Sequence, residues 1–186
     1  MSLIKMQNQG QPSVHDARSR FEAVALPHLN AAYNLARWLT HNDHDAEDVV
    51  QEAFLRAFKS FDSFYGINAR AWLLTIVRNT CYTWLSRSRS HGSPASIEDE
   101  IYEVQSDAPN PQDLLLKLED NRLLGEALEE LPVEFREVLI LRELEGFSYK
   151  EIAEVVGIQP GTVMSRLARA RGRLKKSLAI RMNRDT

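Results

Sequence analysis

The side chains with the strongest chemical signature in this sequence are seven arginines and lysines between Arg166 and Arg181, a stretch that contains no acidic residue. Cations at this density bind phosphate oxygens, and an arginine can also pair bidentately with guanine O6 and N7. Short side chains stand among them. Thr162 and Ser165 can exchange hydrogen bonds with several base edges, and Met164 and Ala168 can pack against a thymine methyl. Thr162, Met164, Ser165, Arg166, Ala168, Arg169 and Arg173 are therefore candidates for reading bases, and Arg171, Lys175 and Lys176, with Arg181 beyond them, for holding phosphates. The formal charge of the whole chain, −3, conceals this stripe because Ile97 to Asp113 contains six acids and no base. The local charge, and not the total, is the electrostatic footprint.

Such a stripe reads DNA only if a rigid element presents it. Residues 148–167 are SYKEIAEVVGIQPGTVMSRL. Ser148 with Glu151 three positions later has the spacing of a reciprocal helix cap. Ile152, Ala153 and Val156 supply an inner face, with Ala153 small enough for a second helix to come close. Gly157 suits a left-handed turn, and Pro160 and Gly161 open a helix whose Val163 and Leu167 point inward. Two short helices with these offsets make a helix-turn-helix, whose second helix enters the major groove. Upstream, a helix over 133–144 places Phe135, Val138, Leu139, Leu141 and Leu144 inward, and another runs from Leu114 to Leu131 before Pro132.

The N-terminal half has its own pattern. Residues 1–16 read as a disordered polar tail. Phe21, Val24, Leu26, Leu29, Ala32, Tyr33, Leu35, Ala36 and Leu39 follow helical steps and predict one amphipathic helix. Asp43 or Asp45 can cap a second helix with Ala46, Val49, Val50, Ala53, Phe54, Ala57 and Phe58 as its apolar stripe. FDSFYGIN at 61–68 breaks the pattern, and a third helix from about Ala69 to Arg87 follows, with more aromatic surface than a three-helix core requires. From Ser88 to Asp113 there are three prolines and no helical stripe. The expected fold is all-α: two small helical domains, 17–90 and 114–182, joined by a flexible acidic linker at 91–113.

Several function classes drop out. The single cysteine, Cys81, cannot form an internal disulfide or a zinc ribbon, which suits a reducing compartment. Neither a secretion signal nor an apolar run of 18 residues is present, so a cytoplasmic location without membrane insertion is expected. The phosphate-binding G-x-x-x-x-G-K-[ST] and the zinc motif H-E-x-x-H are both missing, and no catalytic residue, cofactor or metal is expected. His41 and His44 beside Asp43 and Asp45 form the one local group with ligand chemistry, at a helix start where acids are favoured in any case.

The segment LPVEFREVLILRELEGFSYKEIAEVVGIQPGTVMSRLARARGRLKK, Leu131 to Lys176, resembles the domain of bacterial RNA polymerase sigma factors that recognises the promoter −35 element. DAEDVVQEAFLRAFKSFDSF at Asp45–Phe64 and ARAWLLTIVRNTCYTWLSR at Ala69–Arg87 resemble the extracytoplasmic-function (group 4, sigma-70) branch of that family. The resemblance implies an alternative sigma factor that binds core RNA polymerase and directs initiation at a stress-related set of promoters. It implies docking of the first domain on the β′ clamp helices through Asp48, Gln51, Glu52, Leu55 and Arg56, and contact of the second domain with the β flap. It implies capture and melting of the −10 element by a pool comprising Phe64, Tyr65, Asn68, Arg70, Trp72, Arg78, Asn79, Thr80, Tyr82 and Thr83, since bases that leave the stack need apolar platforms and nearby cations. Asn79 occupies the position where the family usually has an asparagine near the captured base. Trp72 and Trp84 can equally be core. Regulation by an anti-sigma factor is implied, the chain being a monomer or a heterodimer with that factor. The alternative is a stand-alone helix-turn-helix regulator, which would need two-fold symmetry or a ligand-sensing first domain.

Overall fold

The computed structural model describes residues 14–66, 68–90 and 122–183, and all regular structure among them is helical. The expected linker at 91–113, the expected helical stretch 114–121 and the first 13 residues of the expected tail lie outside the described residues.

The first half is built from α1 (Val14–Ala25), α2 (Leu29–Thr40), α3 (Asp43–Ser60) and α4 (Ala69–Ser90). The apolar series that predicts one helix from Phe21 to Leu39 is split between α1 and α2 by a 3₁₀ turn at Leu26–His28. Pro27 lacks the N–H that a continuous α-helix would use, and its ring crowds the preceding turn. Leu26, which opens that turn, and Leu29, which follows it, are exposed, whereas Ala32, Leu35 and Ala36 on α2 are completely enclosed. α2 ends at His41, which takes the left-handed conformation with φ 62° and donates its N–H to the Arg37 carbonyl. The cap of α3 is neither Asp43 nor Asp45 but Asn42, whose side chain accepts from the Asp45 N–H at 3.0 Å. Asp43 instead pairs with Arg37 and accepts from the Tyr33 hydroxyl. Leu73, Leu74, Val77 and Cys81 of α4 close this half against α2 and α3.

The second half contains α5, described over residues 122–129, α6 (Val133–Leu139), α7 (Tyr149–Val156) and α8 (Pro160–Met182). α6 does not run on to Leu144 as an α-helix. It widens into a π turn at Ile140–Leu144, closed by the Glu145 N–H on the Ile140 carbonyl at 3.1 Å. One extra residue per turn rotates everything downstream by about 100°. Leu144, expected inward, is consequently exposed, and Glu145 takes the inward place. Gly146, at φ 68°, reverses the chain so that Phe147 is buried.

The halves are packed together. α2 lies against α6 and the π turn, α4 lies against α7, and the buried residues of both halves form one continuous cluster. At its centre the Arg136 guanidinium, 4% exposed, donates to the carbonyls of Leu128, Glu129 and Leu131 in its own half and of Trp38 in the other. It also donates to Nε2 of His41. Among the described residues no helix is long and apolar enough to cross a membrane.

Candidate nucleic-acid interface

α7 and α8 form the helix-turn-helix through the devices legible in the sequence. Ser148 and Glu151 make the reciprocal cap, the Ser148 side chain accepting from the Glu151 N–H while the Glu151 carboxylate accepts from the Ser148 N–H at 2.8 Å. These bonds hold the Glu151 carboxyl below the usual carboxylate range. Gly157 sits at φ 75° and donates to the Ala153 carbonyl, ending α7. Pro160 occupies the first turn of α8, where no helical partner for an N–H is needed. Ile152, Ala153, Val156, Val163 and Leu167 are all buried between the two helices and α6.

This packing turns Thr162, Met164, Ser165, Ala168 and Arg169 outward, along one face from the start of α8. Met164 is the large apolar side chain on this face, 55% exposed. Lys175 and Lys176 continue the exposed face. The other cations of the predicted stripe already have partners. Arg166 reaches Glu137 at 3.4 Å, Arg171 pairs with Glu143 at 2.6 Å, Arg173 lies over the Phe135 ring at 5.0 Å, and Arg181 pairs with Glu126 and Glu130. The Arg171 pair, half-exposed on both sides, is a surface contact that a phosphate can displace at little expense.

In the first half, Asp48, Gln51, Glu52 and Leu55 are exposed on α3, Leu55 at 57%. Arg56 is braced by Glu52 one turn earlier at 2.7 Å, which also draws the Glu52 carboxyl below its ordinary range. The result is an outward face of mixed polarity with an apolar centre.

The aromatic pool divides sharply. Phe64 packs on Trp72 at 4.6 Å between centroids, and both join Phe61 in a cluster that reaches Phe21. These rings pack on one another and leave Tyr65, 91% exposed, as the outward aromatic of the group. Beside Tyr65 lies a groove of about 530 Å³ lined by Phe61, Asp62 and Phe64 on one side and by Arg20, Ala23 and Val24 of α1 on the other. The α1 contribution is not legible in the sequence. Arg20 stands some 45 residues before Tyr65, and nothing in a helical pattern marks it as a site residue.

α4 carries the remaining candidates. Asn79 is exposed, and Thr83 donates to the Asn79 carbonyl at 2.9 Å. Thr80 is only 4% exposed and its hydroxyl is spent on the Ile76 carbonyl at 2.8 Å, so it is packed within the helix and not presented. Asn68 caps α4 by accepting from the Ala71 N–H and donates to Glu151 at 3.0 Å. Arg70 pairs with Glu145 and lies over the Phe147 ring at 4.7 Å. Arg78 grips Glu137 at 2.7 and 3.3 Å and covers the Tyr82 ring at 4.3 Å. Burial, reinforced by Glu137, pushes the Tyr82 phenol well above its ordinary range. Burial alone would lower the Arg78 pKa, but the Glu137 contacts outweigh it and raise it. Trp84 is half-buried and packs on the core.

The ligand-type group at 41–45 is split by these contacts. His41 turns to Arg136, and burial together with that cation lowers its pKa to about 4, while Asp43 turns to Arg37 and Tyr33.

The sequence matches the family described as Sigma-70 region 2 over residues 25–91 and the one described as Sigma-70, region 4 over residues 121–174. It is 34% identical over 166 residues to the ECF RNA polymerase sigma factor SigE of Mycolicibacterium smegmatis, covering 88% of this chain and 63% of that one, so that about a third of that relative's length has no counterpart in the match. It is 39% identical over 134 residues to the ECF RNA polymerase sigma-E factor of Escherichia coli K12, covering 68% of this chain and 70% of that one. Among solved structures it is similar to the sigma factor RpoE of Bartonella quintana, determined in complex with the anti-sigma factor NepR (TM-score 0.70, 34% identity, 87% of this chain and 98% of that one). It is also similar to CnrH, determined with the cytosolic domain of CnrY (TM-score 0.62, 26% identity, 88% and 90%).

Proposed function

Because this chain belongs to the extracytoplasmic-function sigma factors of the sigma-70 family, we propose that it binds a bacterial core RNA polymerase and directs promoter-specific initiation. The observation that carries the proposal is the combination, in one chain, of an outward recognition face on α8 with an outward mixed-polarity face on α3. A helix-turn-helix by itself serves any DNA-binding regulator. A second docking face on a separate helical unit is what a factor needs when another machine performs the chemistry.

In this reading α8 reads the −35 element. Thr162, Met164, Ser165, Ala168 and Arg169 meet base edges, while Lys175 and Lys176, with Arg171 once it leaves Glu143, fix the register on phosphates. Asp48, Gln51, Glu52 and Leu55 dock on the β′ clamp helices, with Arg56 braced behind them, and the second domain meets the β flap. The −10 element is captured where Tyr65, Asn79 and the groove beside α1 meet, an unstacked base entering between Tyr65 and the Phe61–Phe64 wall with Arg20 near its phosphate. Phe64 and Trp72 shape that wall and do not themselves carry a base. The domains assigned to these tasks are 17–90 and 114–182, with 91–113 as the acidic connection. The protein acts in the cytoplasm and not as an enzyme, and an anti-sigma factor restrains it, as NepR is found with the Bartonella quintana protein.

Run-off transcription with purified bacterial core polymerase on a supercoiled library of upstream regions tests this. Discrete start sites that appear only when the protein is added are the expected result. Binding to core without any start site would overturn it in favour of a sequestering adaptor, and DNA binding with no affinity for core would favour the stand-alone regulator.

A further inference from the structure

An acid stands where the recognition surface calls for cations. Met164, Ala168 and Arg171 lie at i, i+4 and i+7 of α8, which places Arg171 on the same outward stripe as the two side chains read above as base contacts. The guanidinium is already engaged there, for Glu143 accepts from its Nη2 at 2.6 Å and from its Nε at 3.1 Å. From this juxtaposition we infer that Glu143 is an affinity-setting residue for the −35 contact, its carboxylate occupying at Arg171 the place of a backbone phosphate and giving it up when a phosphate arrives.

The carboxylate is delivered by the π turn. Glu143 belongs to Ile140–Leu144, 28 positions before Arg171, and an inserted residue of this kind inside a helix is frequent at functional sites. The backbone that bears it is fastened to the start of α7. Its neighbour Arg142 donates to the Phe147 carbonyl at 2.7 Å and lies over the Tyr149 ring at 5.0 Å. The acid is therefore a fixed part of the helix-turn-helix and travels with it, wherever the first half stands.

The geometry of the pair favours exchange. Nε and Nη2 of Arg171 converge on a single oxygen, Oε1 of Glu143. A phosphate can offer the same two donors two oxygens, the parallel fork in which guanidinium contacts are strongest. Both side chains are 50% exposed, so the carboxylate holds the arginine against water only weakly. Space for the movement is present as well, since nothing stands within 4 Å of the position that a Cβ would take on Gly172, the next residue along α8.

The other paired cations of α8 are placed differently. Arg166 reaches a fully enclosed carboxylate, Arg173 lies over the Phe135 ring, and the Arg181 side chain, 21% exposed, is held by two acids. Arg171 combines a place on the reading stripe with a partner open to water. A cation that must first be freed lowers the affinity for every duplex, so Glu143 keeps α8 from resting on arbitrary DNA through phosphate attraction alone. This role rests on the assignment of α8 to the −35 element.

A double-mutant cycle on the full chain tests it, with the parent, Glu143→Gln, Arg171→Ala and the combination titrated by fluorescence anisotropy against a labelled mixed-sequence duplex of about 30 base pairs at low salt. Removing an acid near DNA helps binding by long-range attraction whatever its partner, so the coupling between the two positions is the quantity that decides. The gain from Glu143→Gln should be about threefold larger in the parent than in the Arg171→Ala background. An equal gain in both backgrounds would reduce Glu143 to a simple repulsive charge, and no gain in the parent would mean that no phosphate meets Arg171; either result overturns the proposal while leaving α8 a DNA-binding helix. A parent that fails to bind the duplex at all overturns the −35 assignment, and this proposal with it. Folding of each variant is compared by circular dichroism, and if Arg171→Ala fails to fold, Arg171→Gln, which keeps most of the stem, completes the cycle.

Discussion

Replacing Arg136 with lysine keeps the charge and removes the fork. The guanidinium reaches the carbonyls of Leu128, Glu129 and Leu131, which end α5 and start the turn into α6, and that of Trp38 in the other half, at 2.8 to 3.2 Å. A lysine ammonium is a single point of donors and cannot span carbonyls that lie on different sides of a planar group. At least two of these charged hydrogen bonds would be lost, and at roughly 1.5 kcal/mol each the loss is about 3 kcal/mol. For a chain of this length each kcal/mol moves the melting temperature by about 2–4 °C, so Arg136→Lys should melt roughly 6–12 °C lower. Thermal unfolding followed by far-ultraviolet circular dichroism at neutral pH reads this directly. A fall of less than about 3 °C would refute the argument, because it would mean that these bonds exchange for water without loss. The size of the effect depends on how little solvent reaches the site, and Arg136 is 4% exposed, burial lowering its pKa to about 10.

The neighbouring His41 gives a prediction with a sign. Its pKa falls from 6.5 to about 4 on folding, first through burial and then through Arg136 and Arg37, so between those values the unfolded chain takes up a proton that the folded chain refuses. Stability is therefore full above pH 6.5 and declines as pH falls toward 4; allowing for the partly exposed ring, the loss by pH 5 is about 1–2 kcal/mol. In His41→Asn, which tolerates the left-handed conformation, the fall in melting temperature from pH 7 to pH 5 should be smaller than in the wild type, and an equal fall would contradict this. Tyr65→Ala should leave the melting temperature within 1 °C or so, because 91% of the residue is in solvent, yet reduce permanganate-detected promoter opening about tenfold; equal opening would remove Tyr65 from the site. Lys175→Ala should weaken promoter binding and lower the slope of log affinity against log salt by about 0.9, and an unaltered slope would mean that Lys175 meets no phosphate.

The helix-turn-helix was legible almost residue by residue, because a capping pair, a left-handed glycine, an N-terminal proline and buried apolar positions constrain one another locally. What escaped the sequence were the places where a local rule is overridden from afar. The apolar series across Pro27 kept its period while the helix broke. The π turn shifted the phase of α6, exchanging Leu144 for Glu145, and no periodic reading anticipates an inserted residue whose reward is a contact with Arg70 some 75 positions away. Among the site residues, exposure could be expected for α3 and α8, whose polar faces follow from their stripes. It could not be apportioned in α4, where Thr80 and Trp72 prove packed and Asn79 exposed. The packing of one half on the other, which decides where Arg78 and Arg166 point, is a property of pairs of residues that no single stretch contains.

The burial of Cys81 bears on how a signal could reach this protein. It is the chain's single cysteine, and enclosure pushes its pKa up to about 12. At neutral pH the reactive thiolate is then about one part in a hundred thousand, and the sulfur has no path to solvent. Thiolates are the species that react with peroxides, disulfides and electrophiles, so these reagents would leave Cys81 itself unmarked. Oxidative or electrophilic stress, if it governs the protein's output, does not act through this thiol in the folded chain.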